Sequence, residues 1–241
     1  MRLDRYLIEY GLVRSRSEAQ RRIKGNDVLV NHHITNKASY DVSKDDVVEL
    51  IGSGCPYVSR GGLKLKGALD AFGVDPSGLV AIDIGASTGG FTDCLLQHGA
   101  TFVYAVENGH SQLDVTLQEH PQVLSLENYN ARDLKKSDFP KPIQLGVMDV
   151  SFISQTLILP SLYHVLEDGA TLITLIKPQF EAGKHALGKG GIVKEQKTRE
   201  KARDTVLAFA SSLGFLVAGC IESPILGGDG NVEYLAYFIK K

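Results

Sequence analysis

Long apolar runs are missing from this chain. Its longest uncharged stretches, residues 150–166 and 205–221, are 17 residues each, and Pro160 breaks one while Ser211, Ser212 and Gly214 break the other. Both fall short of a membrane-spanning helix. Arg2, Asp4, Arg5 and Glu9 interrupt any apolar core at the start, so no secretory signal is expected. Cysteine is scarce as well. Cys55, Cys94 and Cys220 are odd in number and contain no CxxC, which excludes a disulfide framework and a zinc site and fits a reducing cytoplasm. No internal repeat or biased segment is present. What remains, in 241 residues with 43% hydrophobic and 22% charged, is an ordinary globular composition, enough for one α/β domain and a small appendage.

The net charge of −2 conceals an asymmetry: residues 1–60 carry 10 Lys+Arg against 8 Asp+Glu, so the remainder is acidic. The excess is concentrated in residues 13–24, where Arg14, Arg16, Arg21, Arg22 and Lys24 face Glu18 alone. A second basic stretch, 184–203, holds seven positive residues against Glu195 and Glu200. Local basic patches on a mildly acidic protein point to contact with a polyanion.

Two spacings organise the first fifty residues. Leu3, Tyr6, Leu7 and Tyr10 recur at helical intervals up to Gly11, and Ser15-Arg-Ser-Glu18 reads as a capping box opening a helix that Gly25 ends. Short β-prone pieces follow at 28–30 and 47–50, with a turn at Asn31-His-His. Ile51-Gly-Ser-Gly-Cys-Pro56 has the composition of a linker. Beyond it, apolar strand-like runs at 79–84, 101–106, 123–126, 145–150 and 171–176 alternate with helical stretches near 91–98, 111–120 and 157–166. A helix over 195–213 precedes two last strands, 215–221 and 232–239, expected as an antiparallel hairpin at the sheet edge. The alternation implies a mostly parallel, doubly wound sheet.

The first β-to-α turn carries the most information. Ala81-Ile-Asp83-Ile-Gly85-Ala86-Ser87-Thr88-Gly89-Gly90-Phe91 ends a strand, turns through glycines and starts a helix. A dinucleotide fingerprint wants glycine at Ser87, and a phosphate loop wants a lysine, so NAD and ATP are disfavoured. Asp83 suits a cationic or hydroxylated ligand, and Glu107, 24 residues later at the next strand end, can accept both hydroxyls of a ribose. S-adenosylmethionine has a ribose, an amino group and no phosphate. The alternative is a glycine turn that binds nothing. Asn130-Ala131-Arg132-Asp133 follows the third strand, where an adenine edge is usually read. Asp149, Lys177 and Glu233 stand at other strand ends, all on the rim where open α/β sheets place their sites. A lysine directly after Leu-Ile-Thr-Leu-Ile is poised at a buried edge, where desolvation favours proton acceptance.

These motifs resemble known families. Arg2-Leu-Asp, Gly11 to Ala19 and Gly25 to Asn31 resemble the RNA-binding domain first described in ribosomal small-subunit protein four. Tyr57-Val-Ser-Arg-Gly-Gly-Leu-Lys64, the glycine loop, Asp149-Val-Ser-Phe-Ile-Ser and Lys177-Pro-Gln-Phe-Glu resemble the TlyA family, over essentially the whole chain. The resemblance implies an RNA-binding domain at 1–50, a linker at 51–59 and an FtsJ-type methyltransferase domain at 60–241. The fold implied is a Rossmann-like doubly wound sheet with an antiparallel C-terminal edge, plus a small α+β N-terminal domain. It implies 2′-O-methylation of ribose, typically of cytidine in ribosomal RNA or ribosomal subunits, in the cytoplasm, with S-adenosylmethionine as donor and no metal. The family's Lys-Asp-Lys-Glu tetrad falls on Lys64, Asp149, Lys177 and Glu233, with Lys177 expected to take the hydroxyl's proton and Lys64 to lower its pKa by like-charge repulsion. Where the family usually has Val-Asp-Val-Gly, this chain has Val106-Glu-Asn-Gly109. Family members have also been called hemolysins, so a membrane-lytic protein and a non-catalytic RNA binder are the competing classes. A lytic protein wants a spanning or amphipathic segment, and a dead enzyme would lack the two lysines.

Overall fold

Local signals of the first fifty residues become a small α+β unit, Met1–Pro56 in a computed structural model that describes residues 1–13, 15–25, 27–50, 55–183, 186–227 and 230–241. Helix α1 (Leu3–Glu9) buries Leu3 and Leu7, and α2 (Arg16–Lys24) buries Ala19 and Ile23. Ser15 caps α2, its hydroxyl accepting from the Glu18 N–H at 3.2 Å. Strand β1 (Val28–Val30) lies between β2 (His33–Ile34) and β3 (Val48–Leu50), antiparallel to both. The β1–β2 turn has φ of 51° at Asn31 and 63° at His32, the two-residue left-handed turn that matches the twist of a hairpin. Arg14, Lys184 and residues 51–54 of the expected linker lie outside the described residues.

The second unit, Tyr57–Lys241, is built on one seven-stranded sheet. Its strands are β4 (Val80–Ile84), β5 (Phe102–Val106), β6 (Val123–Leu126), β7 (Ile143–Met148), β8 (Leu166–Ile176), β9 (Phe215–Glu222) and β10 (Tyr234–Lys240), in the order β6-β5-β4-β7-β8-β10-β9. All neighbours from β6 to β8 are parallel, and β10 runs antiparallel to β8 and β9. The antiparallel hairpin is therefore at the edge, with β10 as its inner strand. Successive strand residues face opposite sides. Ile82 and Ile84 pack with Leu159 and Leu162 of α6 (Leu159–Val165) and Val206 of α8 (Gln196–Ser212), whereas Asp83 faces Thr92 of α4 (Gly90–Gln97). Helices thus cover both faces.

Several elements differ from sequence expectation, among them α7 (Pro178–Glu181), which is not among the expected helices, and β8, which starts at Leu166 and not at 171. The helix expected at 111–120 shrinks to α5 (Val115–Gln118), because Ser111 adopts φ 52° and the Asp114 carboxylate caps the helix there, accepting from Thr116 N–H at 3.0 Å. The stretch 157–166 divides into a 3-10 turn (Gln155–Leu157) and α6, with Pro160 in the first turn, where its missing N–H costs nothing. Helix α3 (Gly61–Phe72) is an addition to the elements read from the sequence. It starts with two glycines, and Gly62 is required: a Cβ there would stand 2.3 Å from the Tyr57 ring. Among the described residues no helix is long and apolar enough to cross a membrane.

The chain runs outward from β4 through β5 to β6, then returns to β7 on the other side of β4. The reversal opens a crevice at the carboxyl ends of β4 and β7, the position where such sheets hold ligands.

Candidate active site

The glycine loop needs its glycines for space. Gly85 has φ 81°, and a Cβ on it would lie 2.5 Å from the Asp149 carbonyl oxygen, so only glycine lets β4 and β7 close on each other here. Gly89, at φ 93°, is required for packing: a Cβ would stand 2.3 Å from a Leu117 methyl. Amide groups of Gly85 and Ala86 both donate to the Val106 carbonyl, at 2.9 and 3.1 Å, which fastens the loop to the end of β5. There Glu107 is fixed by two backbone donors, Oε2 taking the Ser87 N–H at 3.0 Å and Oε1 the Gly109 N–H at 2.8 Å.

Asp83 lies beneath this loop and is fully buried. Thr92 Oγ1 donates to its Oδ2 at 2.7 Å, while Oδ1 has no partner. Burial raises its pKa to about 7 against the help of Thr92, and the negative charges of Asp149 and Glu107 push in the same direction as burial.

Two clefts flank the loop. The larger, about 530 Å³, has Glu107, Asn108 and Gln112 on one side, and Tyr129, Ala131 and Arg132 on another, with Val150, Phe152 and Ile153 from the turn after β7. The smaller, about 270 Å³, is lined by Lys64, Lys177, Arg60, Thr88, Gly90 and Phe91 among others. Gly85, Ser87, Asp149 and Ser151 border both. Of the residues assigned to the cofactor from sequence, only Asp83 and Gly89 line neither cleft. Gln112, Tyr129, Ser151 and Phe152 escaped that assignment. Gln112 and Tyr129 carry no motif, whereas Ser151 and Phe152 lie inside Asp149-Val-Ser-Phe and were within reach of it.

The four residues of the Lys-Asp-Lys-Glu set form two ion pairs. Lys64 Nζ meets Glu233 Oε2 at 2.6 Å with both side chains buried, although 169 residues separate them in sequence. Lys177 Nζ stands 2.6 Å from Asp149 Oδ1, an ion pair whose alignment falls short of a hydrogen bond, and donates to Ser151 Oγ at 2.9 Å. The second pair belongs to a longer seam between the turn after β7 and α7 (Pro178–Glu181) after β8. Phe152 packs on Phe180 with ring centres 5.0 Å apart. Ser154 Oγ and Gln155 N–H donate to the two Glu181 oxygens, at 2.5 and 2.8 Å. Burial raises the Glu181 pKa despite these two donors. Lys66, the neighbour most easily confused with Lys64, points away and pairs with Asp70 one helical turn on.

In the N-terminal unit, Arg16, Arg21 and Lys24 are exposed on α2. Arg22 is not a free cation: its side chain is mostly buried and its Nη1 lies 3.3 Å from Asp27 Oδ2. Arg2 and Arg5, which charge counting over 13–24 passed by, join Arg16 around the buried Asp4 in a cleft of about 340 Å³. Two hydrogen bonds from the Arg2 guanidinium hold the Asp4 carboxyl below its ordinary pKa.

Residues 57–240 match the FtsJ-like methyltransferase family, and residues 1–48 match the S4 domain. The 16S/23S rRNA (cytidine-2′-O)-methyltransferase TlyA of Mycobacterium tuberculosis is 38% identical over 237 residues, 98% of this chain and 88% of that protein. Hemolysin A of Brachyspira hyodysenteriae is 42% identical over 240 residues, 99% of this chain and all of that protein. Among solved structures, one described as a hemolysin from Streptococcus thermophilus is 43% identical with a TM-score of 0.80, covering all of this chain and 88% of its own.

Proposed function

The chain belongs to the TlyA family of FtsJ-like methyltransferases that carry an S4 domain, and from that premise we propose that it methylates the ribose 2′-hydroxyl of a cytidine in ribosomal RNA. One observation carries the reading to chemistry: the two clefts meet at Gly85, Ser87, Asp149 and Ser151, so a donor in one and a ribose in the other would share a border.

The larger cleft fits S-adenosylmethionine. It is bordered by Gly85, holds an anchored glutamate at the β5 end and, among the described residues, has Arg132 as its only basic lining residue, which suits a ribose-bearing cation better than a pyrophosphate. Glu107 would hold the ribose hydroxyls and Ala131 with Arg132 the adenine edge, while the amino-acid end would lie over Gly85 and Ser87, where the loop Gly85–Phe91 passes from the larger cleft into the smaller. Asp83 would act from below the loop. When bound, S-adenosylmethionine supplies a methyl group already activated on a sulfonium.

The residues' share of the reaction is alignment and removal of one proton. Lys177 Nζ would orient the 2′-hydroxyl and take its proton, while Asp149 and Ser151 fix where that nitrogen stands. Glu233 neutralises Lys64 at 2.6 Å, so Lys64 brings a positioned donor to the smaller cleft. Arg16, Arg21 and Lys24 on the S4 unit would hold RNA phosphates, and the RNA would be that of ribosomes in the cytoplasm.

The test is transfer of a tritiated methyl from S-adenosylmethionine to purified ribosomal RNA, with alkaline hydrolysis to locate the product, since a 2′-O-methyl blocks cleavage at its own nucleotide. Wild type should produce a resistant cytidine, and Lys177→Ala should abolish transfer while calorimetry shows cofactor binding retained. A methyl on a base, or equal activity in Lys177→Ala, refutes the reading. A wild type that binds RNA and transfers nothing returns the protein to the class of RNA binders.

A further inference from the structure

Among the described residues the second basic stretch of the sequence lines neither cleft, and its cations have unequal fates. Arg199 spends its guanidinium on the Val193 and Lys194 carbonyls, at 3.2 and 2.6 Å. Arg203 pairs with Asp204 at 2.8 Å. Lys194, Lys197 and Lys201 are exposed, and among the described residues none of them forms an ion pair. Acids beside them are committed elsewhere. Glu195 accepts from the Thr198 hydroxyl at 2.7 Å, and Glu200 from the Gln196 amide at 2.8 Å.

These lysines cost the helix stability. Lys197 is in the first turn of α8, where a cation opposes the helix dipole. Lys197 and Lys201 are four apart on the side away from buried Ala202, Val206 and Ala210, and like charges so spaced repel.

Their location gives the cost a purpose. Asn231 is buried two residues before Glu233; its Oδ1 accepts from the Val193 N–H at 3.0 Å and its amide donates to the Gly191 carbonyl at 3.2 Å. The segment that leads into α8 is thereby tied to the loop that delivers Glu233 and carries Leu226, a wall of the smaller cleft. The lysine row starts one residue beyond that tie.

We propose that Lys194, Lys197 and Lys201 form an RNA-backbone contact on the methyltransferase unit itself, gripping phosphates that flank the target nucleotide. The inference rests on the RNA-methylating reading above and adds to it a surface separate from the S4 unit. Each lysine would displace a counterion from the RNA, so the contact is electrostatic and independent of base sequence.

The experiment compares the full-length wild type with a variant in which all three lysines are glutamine, using purified ribosomal RNA as the probe across a salt series. For three lost contacts the affinity should fall about ten- to hundredfold near 0.15 M salt, and the slope of log Kd against log salt should drop by about 2–3. Cofactor affinity by calorimetry should be unchanged, and the melting temperature unchanged or higher, since the dipole and repulsion terms are relieved. Lys197→Glu alone should raise the melting temperature while weakening RNA binding, a combination that general damage to the fold does not produce. An unaltered salt slope in the triple variant, with wild type binding and methylating the RNA, overturns this surface and leaves the functional reading standing. A wild type that neither binds nor methylates the RNA overturns both.

Discussion

Replacing Lys64 with methionine removes one half of a buried ion pair. The Glu233 carboxylate is 3% exposed and its side chain sits against the Gly227 backbone, so its charge is matched chiefly by the ammonium at 2.6 Å. Breaking such a pair from one side costs about 3–5 kcal/mol, because a buried charge is left unmatched. For a unit of this size each kcal/mol moves the melting temperature by about 2–4 °C, so the loss is roughly 10 °C. Glu233→Leu should cost a similar amount for the mirror-image reason. Joining the two changes removes both charges, and the double variant should recover most of the stability, since an apolar pair of similar volume is about neutral relative to a buried salt bridge. Methyl transfer should stay lost in all three, because the positioned donor in the smaller cleft is gone in each. The assays are urea unfolding, followed separately for the two units because each can melt by itself, and tritium transfer to ribosomal RNA. A double variant as unstable as the singles would refute the account of the pair as self-contained. A double variant that regains transfer would refute any use of the Lys64 charge in the reaction.

Three further outcomes are expected. Asp83 is raised from 3.8 to about 7 in the fold, so it keeps its proton where the unfolded chain has lost it; the stability from protonation is whole below about pH 4 and lost as pH rises to about 7, up to about 4 kcal/mol. Asp83→Asn should remove that slope, and urea midpoints that track wild type across pH 4–8 would contradict the shift. Gly85→Ala sets a Cβ 2.5 Å from the Asp149 carbonyl in a left-handed conformation, so calorimetry should show cofactor binding lost, with circular dichroism near normal; binding within twofold of wild type would show that the loop tolerates the strain. Glu181→Ala strips the acceptors from Ser154 Oγ and Gln155 N–H and loosens the seam that holds Asp149, Ser151 and Lys177; kcat should fall by about tenfold or more, from the loss of two hydrogen bonds to a carboxylate, with partial rescue by glutamine, and an unchanged kcat would detach the seam from catalysis.

Much of this protein follows from short-range sequence. The Ser15 cap, the hairpin turn at Asn31-His32, the alternation of strands and helices, and the glycine loop before α4 each depend on residues within a few positions of one another. Backbone sterics, capping and side-chain period act at that range, and so did the motifs that resemble the TlyA family. Partnerships between distant residues depend on how the strands close into a sheet. That Lys64 takes Glu233 while Lys177 takes Asp149 follows from α3 and the loop before β10 being brought to one rim, and no spacing along the chain encodes it. The same holds for Arg22, which stands in a basic run yet turns inward to Asp27, and for the stretch 111–120, where Asp114 and Ser111 override helical periodicity. The sequence by itself determined the elements, the loop and the identity of the charged residues, because those are local properties. Only the tertiary structure decided which charges neutralise each other, which glycines make space for a backbone, and which lysines are left without a partner, because pairing energy at ångström range depends on where the chain has come to lie.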